Sequence, residues 1–170
     1  MDLGPLEPGL FPKRLQTKGH RIAAAPPYVL DDLARLEAQV MPGPDELLLI
    51  GRRHQQNCNS WMHNSERLTK GQARHHLLVN PTDLASRGLV DGAMVKVWSR
   101  VGSVVVEAKA TDEMMPGVVS LPHGYGHQKS GVRLSRASQV EGASINDLTD
   151  PERLDISGNA ALSGVPVRIA

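Results

Sequence analysis

Two stretches of the chain alternate apolar and polar positions. In residues 93–99, Val95 and Val97 fall on one side; in residues 103–111, Val104, Val106 and Ala108 do. Successive side chains of a strand point to opposite faces, so each stretch reads as a half-buried strand. Arg100-Val101-Gly102 between them predicts a β-hairpin. Shorter apolar runs bounded by turn signals add further strands. These are Glu46-Leu47-Leu48-Leu49-Ile50 ending in Gly51, His75-His76-Leu77-Leu78-Val79, and Val118-Val119-Ser120-Leu121 after the Met115-Pro116-Gly117 turn. Val165-Pro166-Val167-Arg168-Ile169 makes a last strand, in which Pro166 implies an edge or a bulge. Helical spacing occurs over residues 29–40, where Leu30, Leu33, Leu36 and Val40 share a face, Asp31 and Asp32 suit the positive helix start, and Met41-Pro42-Gly43-Pro44 ends it. A second, short helix starts at Asn80-Pro81-Thr82-Asp83: Asn80 as N-cap, Pro81 at the first position, Asp83 as a capping-box-like acid. Gly88 ends it in the left-handed conformation.

Five or six short strands, one or two short helices and two long polar loops favour a closed or nearly closed β-barrel over a doubly wound sheet. No sequence repeat recurs at a fixed period. Residues 1–29 are punctuated by Gly4, Pro5, Pro8, Gly9, Pro12, Pro26 and Pro27, too densely for regular structure. With Leu6, Leu10, Phe11, Leu15 and Ile22 scattered through them, they read as an extended arm that packs across a partner surface.

Composition narrows the classes. A chain of 170 residues is one domain with an appendage. With 3% aromatics its core must be built from Val, Leu, Ile, Met and Ala. Nineteen basic residues against 18 acidic leave no global field to draw nucleic acid. No apolar run approaches the roughly 20 residues of a membrane span, so direct membrane insertion is not expected. Met1-Asp2-Leu3-Gly4-Pro5 lacks the features of a signal peptide. Cys58 is the single cysteine, which rules out an intramolecular disulfide and any Cys-built metal site; a reducing, cytoplasmic setting is expected.

Candidate chemistry gathers in the loops. Residues 51–64 offer Arg52 and Arg53, whose planar charged forks suit phosphate, and Asn57, Asn59, Ser60, His63 and Asn64, whose donors and acceptors suit a heterocycle edge. A solvated connection is the plain alternative; Trp61, a large aromatic in a polar loop, argues that the loop is anchored to something. In Pro122-His123-Gly124-Tyr125-Gly126-His127 the glycines allow close approach of backbone to a ligand, and break any helix that would let His123 and His127 chelate together. His75 and His76 begin a strand, so their rings are expected on opposite faces, and the seven histidines then make no metal site. In Glu141-Gly142-Ala143-Ser144-Ile145-Asn146-Asp147-Leu148-Thr149-Asp150, Asn146, Asp147 and Thr149 fit either a ligand edge or a capped turn. Cys58 and Ser60 lack the context of a catalytic nucleophile.

In order along the chain, these segments resemble one family. Leu49-Ile50-Gly51-Arg52-Arg53 with Asn59-Ser60-Trp61-Met62-His63-Asn64 resembles the opening of the C-terminal molybdopterin-dinucleotide-binding domain of molybdopterin oxidoreductases, the family of formate dehydrogenases, periplasmic-type nitrate reductases and dimethyl sulfoxide reductases. Leu78-Val79-Asn80-Pro81-Thr82-Asp83 and the run from Gly88 to Val97 are similar to its next motifs, with Ala93 where an Asp is usual. Val101-Gly102, Thr111-Asp112, Met115-Pro116-Gly117-Val118-Val119, the 122–127 segment and Asn146-Asp147-Leu148-Thr149 follow in the family's order. The resemblance covers residues 46–170 and leaves 1–45 as a connector arm and helix.

The resemblance implies a mainly β double-psi β-barrel that holds the dinucleotide end of a molybdenum or tungsten bis-pterin cofactor, the bis(molybdopterin guanine dinucleotide). Gly51, Arg52, Asn59, Ser60, His63, His123, Gly124 and Asn146 are the implied cofactor-binding residues, with no catalytic residue and no metal ligand in this chain; Cys58 has no assigned role. The implied partners are the other domains of a larger catalytic subunit, which could itself be exported, and its electron-transfer subunits. The 170 residues alone are not expected to turn over. A non-catalytic, protein-binding barrel is the alternative, and it should expose an apolar patch. A self-processing decarboxylase cut at Gly102-Ser103 is the remoter one.

Overall fold

The computed structural model describes residues 4, 5, 8, 9, 11–39 and 42–170. The expectations placed on Met1, Asp2, Leu3, Leu6, Leu10, Val40 and Met41 lie outside the described residues. The chain divides into two compact units, Met1–Val40 and Met41–Ala170.

The first unit holds α1 (Phe11–Arg14), a 3-10 turn at Lys18–His20, α2 (Pro27–Asp31) and α3 (Leu33–Glu37). The expected extended arm is thus interrupted by short helical pieces. The single helix expected over 29–40 is split in two. It begins earlier, with Pro27 at the first helical position, where a missing N–H costs nothing. Asp31 closes α2, and Asp32 separates the pieces. The Asp32 carboxylate caps neither and instead takes both forks of Arg35, at 2.7 and 2.8 Å. Leu30, Leu33 and Leu36 are all about half exposed, at 50%, 48% and 59%.

The second unit is a closed six-stranded barrel. Its elements are β1 (Leu47–Arg52), α4 (Glu66–Thr69), β2 (Leu77–Val79), α5 (Pro81–Ser86), β3 (Met94–Trp98), β4 (Ser103–Ala110), β5 (Val118–Pro122) and β6 (Val165–Ile169). Around the barrel the order is β1-β5-β2-β4-β3-β6. This order has a hidden symmetry. Exchanging β1, β2 and β3 for β4, β5 and β6 carries every pairing onto another of the same sense. The parallel pair β1–β5 becomes the parallel pair β4–β2, and the antiparallel β1–β6 becomes β4–β3. The antiparallel pairs β2–β5 and β3–β6 map onto themselves. Two interlocked, equivalent halves of this kind are the double-psi β-barrel that the motifs implied.

Alternation fills the interior. Leu47, Leu49, Leu77, Val79, Val95, Val97, Val106, Ala108, Val119, Leu121, Val165 and Val167 are nearly or wholly inaccessible. The core cluster is aliphatic, as an aromatic-poor chain requires. In the hairpin, Val95 stands opposite Val106 and Val97 opposite Val104, so the predicted faces coincide. Pro166 sits neither at an edge nor in a bulge. It faces Leu48, whose N–H turns the other way to Gly117 O at 2.8 Å, so no ladder bond crosses at this pair. On its other flank β6 meets β3 only from Arg168 onward, and the missing proline donor is not needed.

The N-cap forms as expected, with Asn80 Oδ1 accepting from Thr82 N at 2.9 Å. Asn80 Nδ2 also donates to Met114 O at 2.6 Å. Asp83 does not close a capping box; its carboxylate accepts from Gly117 N at 2.8 Å and ties α5 to the start of β5. Gly88 is left-handed, with φ 67°.

Neighbouring residues of β1 test the alternation. Leu49 is fully buried and Ile50 is 36% exposed. In urea denaturation of the 170-residue chain, Leu49→Ala is expected to cost about 2–5 kcal/mol through lost burial and a residual cavity, and Ile50→Ala less than about 1 kcal/mol.

Candidate functional site

Strand β1 extends past Gly51 to Arg52, and this decides what each arginine does. Arg52 turns into the barrel end. Its guanidinium donates to Ser120 O at 2.5 Å, His76 O at 2.5 Å and Arg74 O at 3.1 Å. Burial lowers its pKa to about 10, which leaves it charged at neutral pH with much of its donor capacity occupied by backbone. Arg53 is exposed and donates through Nη1 to Asn59 Oδ1.

The polar loops lean on one another through glycines. A Cβ on Gly124, whose φ is 94°, would run into the carbonyl of Asn59. One on Gly126 would come within 2.7 Å of Ser144 Cβ, one on Gly142 within 2.7 Å of both His75 Cβ and Tyr125 Cδ1, and one on Gly102 would strike Asp147 O. The glycines around Tyr125 therefore admit the chain's own loops, where the sequence suggested a ligand. The closing segment is further held by Arg100, which grips Asp150 with two bonds of 2.6 Å. Lys129 pairs with Asp147. Asp150 titrates near 2 instead of 3.8, held down first by Arg100 and then by the Glu152 N–H.

This packing brings Gly51, Arg53, His123, Ile145, Asn146, Thr149, Leu162 and Ser163 around one pocket of about 90 Å³. Three of the predicted site residues, Gly51, His123 and Asn146, meet there from three separate segments. Asn59 and Ser60 lie against Gly124. Asn59 and Asn146 are exposed, and Ser60 and His123 partly so. His123 is held below the ordinary imidazole pKa by burial and then by Arg53, so it presents a neutral ring. Arg52 does not line this pocket. Neither does His63, which is 2% exposed and packs on Tyr125 at 4.7 Å. Its Nδ1 lies 3.0 Å from His127 Nε2, and its Nε2 has no partner. It lines a second cavity of about 310 Å³ with Asn57, His75, Tyr125 and Arg136. Tyr125 is held by Asn57, whose Nδ2 donates to its hydroxyl at 3.2 Å.

Thr149, read from the sequence as fitting either a ligand edge or a capped turn, lines the pocket, whereas Leu162 and Ser163 were not foreseen; only tertiary structure brings residues 162–163 beside β1. Trp61 is 75% exposed, so within the described residues it does not anchor the loop. The expectation for His75 and His76 is overturned. β2 begins only at Leu77, so strand alternation does not reach them, and their rings stack at 4.6 Å with planes 22° apart. Burial first, then His75, hold His76 below the ordinary imidazole pKa, with Glu107 opposing.

Residues 47–166 match the family model described as the molydopterin dinucleotide binding domain. The chain belongs to that family. It is 34% identical over 103 residues to dimethyl sulfoxide reductase DmsA of Escherichia coli, covering 61% of this chain and 12% of the relative. It is 30% identical over 121 residues to the arsenate respiratory reductase molybdopterin-containing subunit ArrA of Chrysiogenes arsenatis, covering 68% and 14%. Acetylene hydratase from Pelobacter acetylenicus shares the fold, with a TM-score of 0.62 at 20% identity over 84% of this chain and 19% of that one. The chain thus spans about an eighth of the length of the first two relatives.

The family match favours a dinucleotide-binding domain of a catalytic subunit over a protein-binding adaptor. The pocket suits a part of such a ligand. At about 90 Å³ it falls well short of the roughly 300–1,000 Å³ that encloses a whole small molecule. It has a charged fork, a neutral imidazole, an amide and hydroxyls for one ring edge or phosphate.

Two predictions test the loop packing. Gly124→Ala combines a φ of 94° with the clash on Asn59, whereas Gly131→Ala has a φ of 88° in open space. The first is expected to cost about 2–4 kcal/mol and the second about 1 kcal/mol in denaturant unfolding. Asp150 has a folded pKa below its unfolded one, so its contribution is present above about pH 4 and is lost as pH falls toward 2. Over that window the thermal midpoint should fall more steeply for the parent chain than for Asp150→Asn.

Proposed function

We propose that this chain holds one dinucleotide arm of a molybdenum or tungsten bis(molybdopterin guanine dinucleotide) cofactor as one domain of a larger oxidoreductase subunit. The observation that carries the reading is the convergence of Gly51, Arg53, His123 and Asn146 on one pocket from segments up to 95 positions apart. In this assignment Arg53 faces phosphate or the pterin edge, and Asn59, Ser60, His123 and Asn146 offer hydrogen bonds to the heterocycle. Gly124 keeps the loop backbones close, and Gly51 forms part of the pocket wall. Arg52 and His63 serve the same site from behind, Arg52 by fixing the end of β1 and His63 by packing under the 122–127 loop.

The bound cofactor supplies two-electron redox chemistry at its metal. The metal ligand, the substrate funnel and the electron path belong to other domains or to electron-transfer subunits, so the 170 residues do not turn over alone. The relatives are named for dimethyl sulfoxide and arsenate reduction. The order of the motifs also fits formate dehydrogenase-like and nitrate reductase-like parents, and formate or an oxyanion is the proposed substrate class. The exposed Trp61 suits contact with the rest of the subunit or with the cofactor. A cytoplasmic setting is proposed on the single, exposed cysteine.

Titration of the 170-residue chain with the released cofactor, and with GDP as its dinucleotide fragment, tests this by amide shifts. Shifts are expected in residues 51–64, 122–127 and 144–149; none in those segments would overturn the proposal. Arg53→Ala should weaken binding about tenfold with the fold intact, the worth of one charge-assisted hydrogen bond. Arg52→Ala should lower stability, since it leaves three carbonyls without their donor.

A further inference from the structure

We propose that His75, His76 and Glu107 form a binding site for a divalent transition-metal ion of the zinc type. Imidazole nitrogen with carboxylate oxygen is a donor set that such ions take. One ligand atom from each of the three residues lies within 4.8 Å of the others. His76 Nε2 is 3.6 Å from Glu107 Oε2. The two rings stack nearly parallel, which holds them side by side. Their side chains are only 12% and 14% exposed, whereas Glu107 is 40% exposed and free to adjust.

Backbone geometry prepares the pair. The carbonyls on either side of His75, those of Arg74 and His76, both accept from Arg52 Nη2. This fixes the backbone on both sides of His75, just before β2. A fourth donor stands nearby, with Glu141 Oε2 3.8 Å from His75 Nε2. Glu141 is carried there by Gly142, which packs against His75 where no Cβ would fit. A tetrahedral ion needs its ligand atoms closer together than 4.8 Å, and the 79% exposed Glu141 and the half-open Glu107 supply that movement. Two carboxylates would balance a doubly charged ion, with Lys109 and Arg52 as nearby cations. Neither imidazole nor either carboxylate lines the pocket assigned to the dinucleotide, so the site stands apart from it.

With all ligands from protein, the ion would be structural, tying the approach to β2, strand β4 and the loop before Asn146 together. The full 170-residue chain, stripped by chelator, tests this with Zn2+ in calorimetry and with Co2+ in visible absorption. One equivalent of Zn2+ should bind at micromolar affinity or tighter, raise the thermal midpoint, and compete with a Co2+ complex showing tetrahedral d–d bands. His76→Ala and Glu107→Gln should each weaken binding at least about tenfold. His127→Ala should leave binding unchanged, which separates this site from the His63–His127 pair. Should His76→Ala misfold, the conservative Glu107→Gln at a partly exposed position carries the comparison. Absence of stoichiometric binding, binding indifferent to Glu107→Gln, or binding abolished by His127→Ala would overturn the proposal.

Discussion

Much of the functional end of this barrel hangs on the Arg52 guanidinium and the three backbone carbonyls it serves. Ser120 lies in β5, and Arg74 and His76 precede β2, so one side chain joins three segments that meet nowhere in sequence. A charge held partly out of water is stabilised by these hydrogen bonds; removed, it would leave three carbonyls without this donor. Two consequences follow. Because Arg52 is committed to these carbonyls, the exposed Arg53 is left as the arginine that can meet a ligand. Because Arg74 and His76 both turn their carbonyls to this guanidinium, the approach to β2 is pinned to the end of β1.

The long loops are built on a second constraint, the absence of side chains at points of contact. Loops this polar have little apolar surface to bury, so they hold shape through hydrogen bonds and direct backbone approach. Gly124 admits the Asn59 carbonyl, Gly126 admits Ser144, and Gly142 admits His75 and Tyr125. The aliphatic barrel underneath supplies the stability that the loops do not. The outcome is a rigid surface of unspent donors, open on one side. A surface of that form is open to another body, which accords with a family in which the matched segment makes up only 12–14% of the relatives' length.

The legible parts of the fold were those written in local period. The hairpin faces of Val95, Val97, Val104 and Val106, the Asn80 cap and the left-handed Gly88 all follow from rules that act within a few residues. What was not legible depends on where a strand stops. Arg52 is taken up by carbonyls of β5 and of the segment before β2, which no local pattern announces, and starting β2 two residues late reverses the argument about His75 and His76. The twofold relation of the strands leaves no sequence repeat, because it lives in pairing order and parallel sense, which many apolar sequences satisfy equally. The split of the helix at Asp32 was not legible either; there the carboxylate pairs with Arg35 and forms no cap. Trp61 misled for a different reason: it is exposed and anchors the loop to nothing among the described residues.

The segment from Glu141 to Asp150 draws these constraints together. At one end Gly142 lies on His75 and Tyr125; in the middle Ser144 meets Gly126 and the Asp147 carbonyl meets Gly102; at the far end Asp150 is clamped by Arg100. Asn146 sits between these fixed points, exposed yet positioned on both sides. A short polar segment would otherwise sample many conformations, and ordering it costs roughly 1–2 kcal/mol per residue in backbone entropy. Distributing that cost over contacts outside the pocket leaves the Asn146 amide unspent and already oriented. The same economy explains why the ion pair and the close-packed glycines stand beside the pocket and not inside it: groups that hold the loop are not available to hold a ligand.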